Sequence, residues 1–149
     1  MTRDYDFAVS LRIRHPAVDP DVLTAALGLT PQYAWRAGAE RRATGEGGSA
    51  TGTYRETLWI APLNPEPVFD QVPVPLEGVL LLGANRLHRN KQLWSRLMAE
   101  GGSAELLVEI FGRDTFTLEL SSMTLSQLAR SRIAVSVRVH PMPRAVAVA

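Results

Sequence analysis

Residues 7–14 read Phe-Ala-Val-Ser-Leu-Arg-Ile-Arg, with a large apolar side chain at every second position. Two is the period of a strand, so Phe7, Val9, Leu11 and Ile13 fall on one face of a sheet and Ala8, Ser10, Arg12 and Arg14 on the other. The alternation returns at Ile133, Val135, Val137 and Val139, interleaved with Ala134, Ser136 and Arg138. Such strands require a second layer over their apolar face. In a chain of 149 residues with no cysteine, that layer must be held by burial and not by disulfides. The missing thiols also exclude cysteine nucleophiles, cysteine-held iron–sulfur clusters and zinc sites that use cysteine.

The covering helices have their own signals. His15-Pro16 stops the first strand, and Asp19-Pro20-Asp21 supplies a cap, a proline at the first helical position and an early acid. Val22, Leu23, Ala26 and Leu27 then form a stripe that Gly28 closes. Residues 30–52 show neither period and predict a long loop, and residues 53–61 predict a strand ending before Pro62. A proline-rich connector leads to helical spacing at Leu76, Val79, Leu80, Gly83, Leu87, Trp94, Leu97 and Met98. Its polar middle leaves open one helix or two, with Asn90 able to cap residues 91–99.

Residues 106–110 and 116–120 predict a hairpin around Gly112-Arg113-Asp114, pairing Ile110 with Phe116, Val108 with Leu118 and Leu106 with Leu120. Its weak point is Asp114, which would have to adopt the left-handed conformation. A short helix over residues 124–129, capped by Thr124 or Ser122, precedes the last strand. The expected class is α+β: a ferredoxin-like-related two-layer sandwich, a mostly antiparallel sheet with helices on one face. One domain is expected over residues 1–140, followed by a tail over 141–149.

Asp19-Pro20, Leu27-Gly28-Leu29-Thr30-Pro31, Trp35-Arg36-Ala37-Gly38 and Trp59-Ile60-Ala61-Pro62 together resemble the pattern of the domain-of-unknown-function family 4279. The resemblance implies a small bacterial α+β protein and carries no assigned activity or catalytic residue. The Gly-rich stretch after Gly38 and the C-terminal tail lie outside that pattern.

Candidate sites follow from the residues. Trp35, Arg36 and Gly38 combine an amphipathic ring, a rigid fork of donors and a permissive turn, a set suited to a small anionic ligand; in the bland alternative Trp35 plugs the loop onto the core and Arg36 pairs with a local acid such as Glu40. The glycines of residues 45–52 lack the lysine and the following helix of a phosphate loop and read as a solvent loop. Parity puts Arg12, Arg14, Leu107, Glu109, Phe111, Thr117, Glu119 and Arg138 on the sheet face away from the core. There Glu109 and Glu119 are candidates for acid–base work, and Leu107 and Phe111 for a partner surface. Trp94, Leu97 and Met98 serve either the core or a second apolar patch. His15, His88 and His140 have no metal-binding spacing, and no serine sits in a nucleophile elbow.

Sixteen Lys plus Arg against fifteen Asp plus Glu give a formal charge of +1, without the broad positive field of a nucleic-acid binder. The longest central apolar run, residues 79–82, is far too short to span a bilayer. The expectation is a cytoplasmic, non-enzymatic module without cofactor or metal that binds a protein partner or forms a homodimer. An anion sensor at Trp35 and Arg36 comes second, and an enzyme using Glu109 or Glu119 third.

Overall fold

A computed structural model describes residues 5–41, 52–63 and 74–141. Nine elements follow in order: β1 (Tyr5–His15), α1 (Pro20–Leu27), β2 (Tyr33–Trp35), β3 (Thr57–Pro62), α2 (Leu76–Arg89), α3 (Lys91–Ala99), β4 (Ser103–Gly112), α4 (Ser122–Arg130) and β5 (Ile133–Pro141). The five strands form one sheet in the order β2-β3-β1-β4-β5. All pairings are antiparallel except β4 with β5. The chain is therefore α+β with a mostly antiparallel sheet.

The parity of β1 decides the layering. Val9, Leu11 and Ile13 are buried, and across the sheet they meet Trp59 and Ala61 of β3 and Ala104, Leu106 and Val108 of β4. The helices add Leu23, Val79, Leu80, Leu97 and Leu128 to this same cluster, so all four cover one face. At Gly83 a side chain would meet Leu106 Cδ2 at 2.9 Å and Leu63 Cδ1 at 3.0 Å, which marks where α2 lies closest to the sheet.

Local chemistry sets the helix ends. Asp19 caps α1 by accepting from the Asp21 N–H at 2.9 Å, and Gly28, at φ 65°, closes it with a bond from its N–H to the Thr24 carbonyl. Val22 of the expected stripe is 40% exposed. Asn90 separates α2 from α3, settling the two-helix arrangement, yet its side chain caps nothing and donates back to the Arg86 carbonyl. Ser121, not Thr124 or Ser122, caps α4: its hydroxyl accepts from the Thr124 N–H. The Ser121 N–H donates to Glu77 of α2, so a neighbouring helix provides the acceptor that a capping box normally takes from its own third residue.

The expected hairpin is absent. β4 is flanked by β1 and β5, and residues 113–121 connect without joining the sheet. Phe116, Leu118 and Leu120 pack against the core from that connector, with the Phe116 ring 4.9 Å from Tyr5. Alternation fixes which side chains face the core, but β5 offers the same pattern over a longer match, pairing from Ala104 with Ile133 to Gly112 with Pro141. Asp114 is also spared the left-handed backbone, because Arg132 is the single non-glycine residue with positive φ among the described residues. Two further departures are smaller: β2 lies inside the expected loop, and β3 starts at Thr57 and includes Pro62. The glycine stretch over 42–51, the connector over 64–73 and the tail over 142–149 lie outside the described residues.

Candidate functional site

With every helix on one side, the other face of the sheet is left without a covering element among the described residues. Register places its side chains in rows. Tyr33, Ile60, Arg12, Glu105 and Ala134 form one; Trp35, Leu58 and Arg14 a second; Ser10, Leu107 and Ser136 a third; Ala8, Glu109 and Arg138 a fourth; Asp6, Phe111 and His140 a fifth. None of these is fully buried, and Tyr33 is 52% exposed.

Six charges on this face are matched, and Asp6, in the row of Phe111, adds one further carboxylate. Arg12 pairs with Glu105, Arg14 with Glu56 at 3.7 Å, and Arg138 with Glu109 at 3.8 Å. Phe111 and His140 stack at 4.8 Å with 13° between their planes. The expected company of Arg12, Arg14, Leu107, Glu109, Phe111 and Arg138 is thus assembled on one surface. Glu119 is not part of it. Its connector turns Phe116, Leu118 and Leu120 toward the core side of the sheet, so neither Glu119 nor Thr117 stands opposite Glu109. Glu109 instead has Ala8 and Arg138 as its cross-strand neighbours, so the two carboxylates are not a facing pair on adjacent strands.

At one end of the face, Trp35 stacks on Tyr54 with centroids 5.2 Å apart and stands edge-on to Tyr33 at 6.1 Å. The turn that follows is held from below. Thr57, wholly buried, donates to the Val18 carbonyl at 2.6 Å and accepts from the Ala37 N–H at 3.0 Å. Gly38, at φ 85°, then bonds through its N–H to the Tyr54 carbonyl at 2.9 Å. Arg36 does pair with an acid, at 3.2 Å, but the partner is Asp19 and not Glu40. An open hollow of about 490 Å³ adjoins these residues, and its lining holds Asp19, Asp21 and Glu40 against the single cation Arg36. Three carboxylates around one guanidinium already bound to one of them repel an anion, so the geometry opposes the anionic-ligand reading.

The second apolar patch does not form either. Trp94, Leu97 and Leu87 are buried, because their helical stripe is spent on the core. His15 belongs to the fold: its Nδ1 accepts from the Ala17 and Val18 N–H groups, and its Nε2 faces Glu100 at 3.3 Å. Sequence reasoning missed Tyr33, Leu58, Ile60 and His140 on the open face. Alternation within residues 57–61 could have supplied Leu58 and Ile60, whereas Tyr33 has no such signal in a three-residue strand. Among the described residues no group of three or more His, Asp or Glu side chains is placed to hold a metal ion. None of their helices is long and apolar enough to cross a membrane.

The fold and this site define a small α+β protein whose mostly antiparallel sheet carries its helices on one face. A family model described as Domain of unknown function (DUF4279) matches residues 4–142, and the chain belongs to that family. Neither a curated protein nor a solved structure matches it.

Proposed function

We propose that the protein is a non-enzymatic recognition module whose open sheet face docks on a second copy of the chain. The observation that carries this reading is the pairing of charge with apolar side chains that the fold leaves half-buried or, at Tyr33, exposed. Tyr33, Leu58, Ile60, Leu107 and Phe111 lie beside three arginines and three glutamates that neutralise one another. Apart from Asp6, which adds one carboxylate beside Phe111, the charges of this face cancel, so it can meet its own copy across a two-fold axis with little repulsion. Strand lengths and spacing give it a projected area on the order of 600 Å². That approaches the roughly 800 Å² per partner of a standard interface. An anion sensor at Trp35 is less well supported because of the carboxylates there, and an acid–base enzyme because Glu109 and Glu119 stand apart. The reading places the module in the cytoplasm, where a cysteine-free chain is at no disadvantage.

Light scattering over a dilution series tests it. The expected result is a mass above the 16.3 kDa of one chain at high concentration, falling to that value in the variants Leu107→Glu and Phe111→Glu. Equal masses for wild type and both variants at every concentration would overturn self-association through this face. A separate protein partner would then become the occupant to seek.

A further inference from the structure

The helix layer, on the opposite side from the open face, holds an unassigned groove. Its base is fixed by Trp94, which is buried and donates its indole N–H to the Ser131 carbonyl at 3.0 Å, holding the turn between α4 and β5 against α3. In that turn Arg132 adopts φ 53°, and its N–H returns to the Ala129 carbonyl at 3.0 Å. Chains ending a helix in this way usually place glycine there, since an L side chain in the left-handed region is strained. Here a long cationic side chain occupies the position.

Arg132, Arg130, Lys91 and His88 line a hollow of about 400 Å³ that has no carboxylate in its lining. Lys91, Arg130 and Arg132 have no ion-pair partner among the described residues. Arg130 and His88 lie in the last turns of α4 and α2, where they offset the helix dipoles and need no further explanation. Lys91 is different. It opens α3, the end at which the dipole disfavours a cation. Two cations in locally unfavourable positions therefore converge on one hollow. A second hollow of about 490 Å³ shares His88, Arg130 and Ser131 with the first and continues along Leu81, Leu82 and Ala84, with Leu82 41% exposed. The result is one groove, cationic at one end and apolar at the other, in the size range of small-molecule sites.

We infer that this groove binds a single-chain amphiphilic anion, its charged oxygens held by Lys91, Arg130 and Arg132 and its apolar body laid along Leu81 and Leu82. The unpaired cations supply charge-assisted bonds to the head, and the exposed leucine flank is desolvated by the tail. Nothing in this site depends on the sheet face or on self-association.

Titration calorimetry with decyl phosphate below its micellar concentration, beside inorganic phosphate and decanol, tests the assignment. Decyl phosphate is expected to bind at least tenfold more tightly than either fragment. Arg130→Gln should weaken it about tenfold, the loss of one charge-assisted bond. Arg132→Gly should weaken it similarly while leaving the melting temperature equal or higher, because glycine relieves the left-handed backbone. Leu107→Glu should change nothing in this assay. Affinity unaltered in Arg130→Gln and Arg132→Gly, decanol binding as tightly as decyl phosphate, or no binding at millimolar concentration would each overturn the proposal. So would co-sedimentation with phosphatidate vesicles in the absence of binding to the monomeric probe, since a membrane surface would then be the ligand.

Discussion

Replacing Thr57 by valine isolates the bonds that hold the Trp35 turn in place. Valine has nearly the shape of threonine, so Thr57→Val removes a hydroxyl from a wholly buried position without opening a cavity. Two bonds are lost: the one donated to the Val18 carbonyl at 2.6 Å and the one accepted from the Ala37 N–H at 3.0 Å. Each hydrogen bond contributes a net of about 1 kcal/mol, and an unpaired buried group costs about 1–3 kcal/mol. Val18 and Ala37 are only half-buried, so water recovers part of that loss. A destabilisation of about 2–3 kcal/mol results. Thr57→Ser keeps the hydroxyl and forfeits one methyl, for about 1 kcal/mol. Urea unfolding of the three proteins, compared at equal m value, measures the difference. In a chain of this length the valine variant should also melt about 6–10 °C lower. A loss below about 0.5 kcal/mol in Thr57→Val, or a serine variant less stable than the valine one, would show that packing at this position outweighs its hydrogen bonds.

Gly102→Ala would place a Cβ 2.7 Å from the Leu97 carbonyl oxygen and 3.1 Å from the His15 ring. That oxygen also accepts the Gly102 N–H at 2.7 Å, so the backbone has nowhere to yield and a cost of about 2–3 kcal/mol is expected in thermal unfolding, where a wild-type melting temperature would contradict it. The Ser121 N–H beside Glu77 holds that carboxyl below its ordinary value of 4.5. A folded-state pKa below the unfolded one adds stability that is fully present above the unfolded value and lost as pH falls through the folded one. The stability–pH curve should therefore be flatter below pH 4.5 in Glu77→Gln than in wild type, and equal acid slopes in denaturant titrations would refute the assignment.

Side-chain period alone established which residues of β1 and β4 face the core, because in a strand the face is fixed residue by residue; in β5, at the sheet edge, only Ile133 of the alternating set is buried, and Val137 and Val139 are 48% and 53% exposed. The caps at Asp19 and Gly28 were equally readable, since a helix end is chosen by a few neighbouring side chains and one backbone angle. Hence the open-face company of Arg12, Arg14, Leu107, Glu109, Phe111 and Arg138 was legible in the alternation of the chain itself. Pairing partners were not. Residues 116–120 and 133–139 present the same alternation, and only the packed molecule, where β5 matches β4 along its whole length, separates them; Glu119 left the proposed site as a consequence. The groove between α2, α3 and α4 is also a product of packing. Lys91, Arg130 and Arg132 lie on three different segments, and their meeting depends on a buried indole gripping the Ser131 carbonyl, a contact across 37 residues that no local pattern encodes.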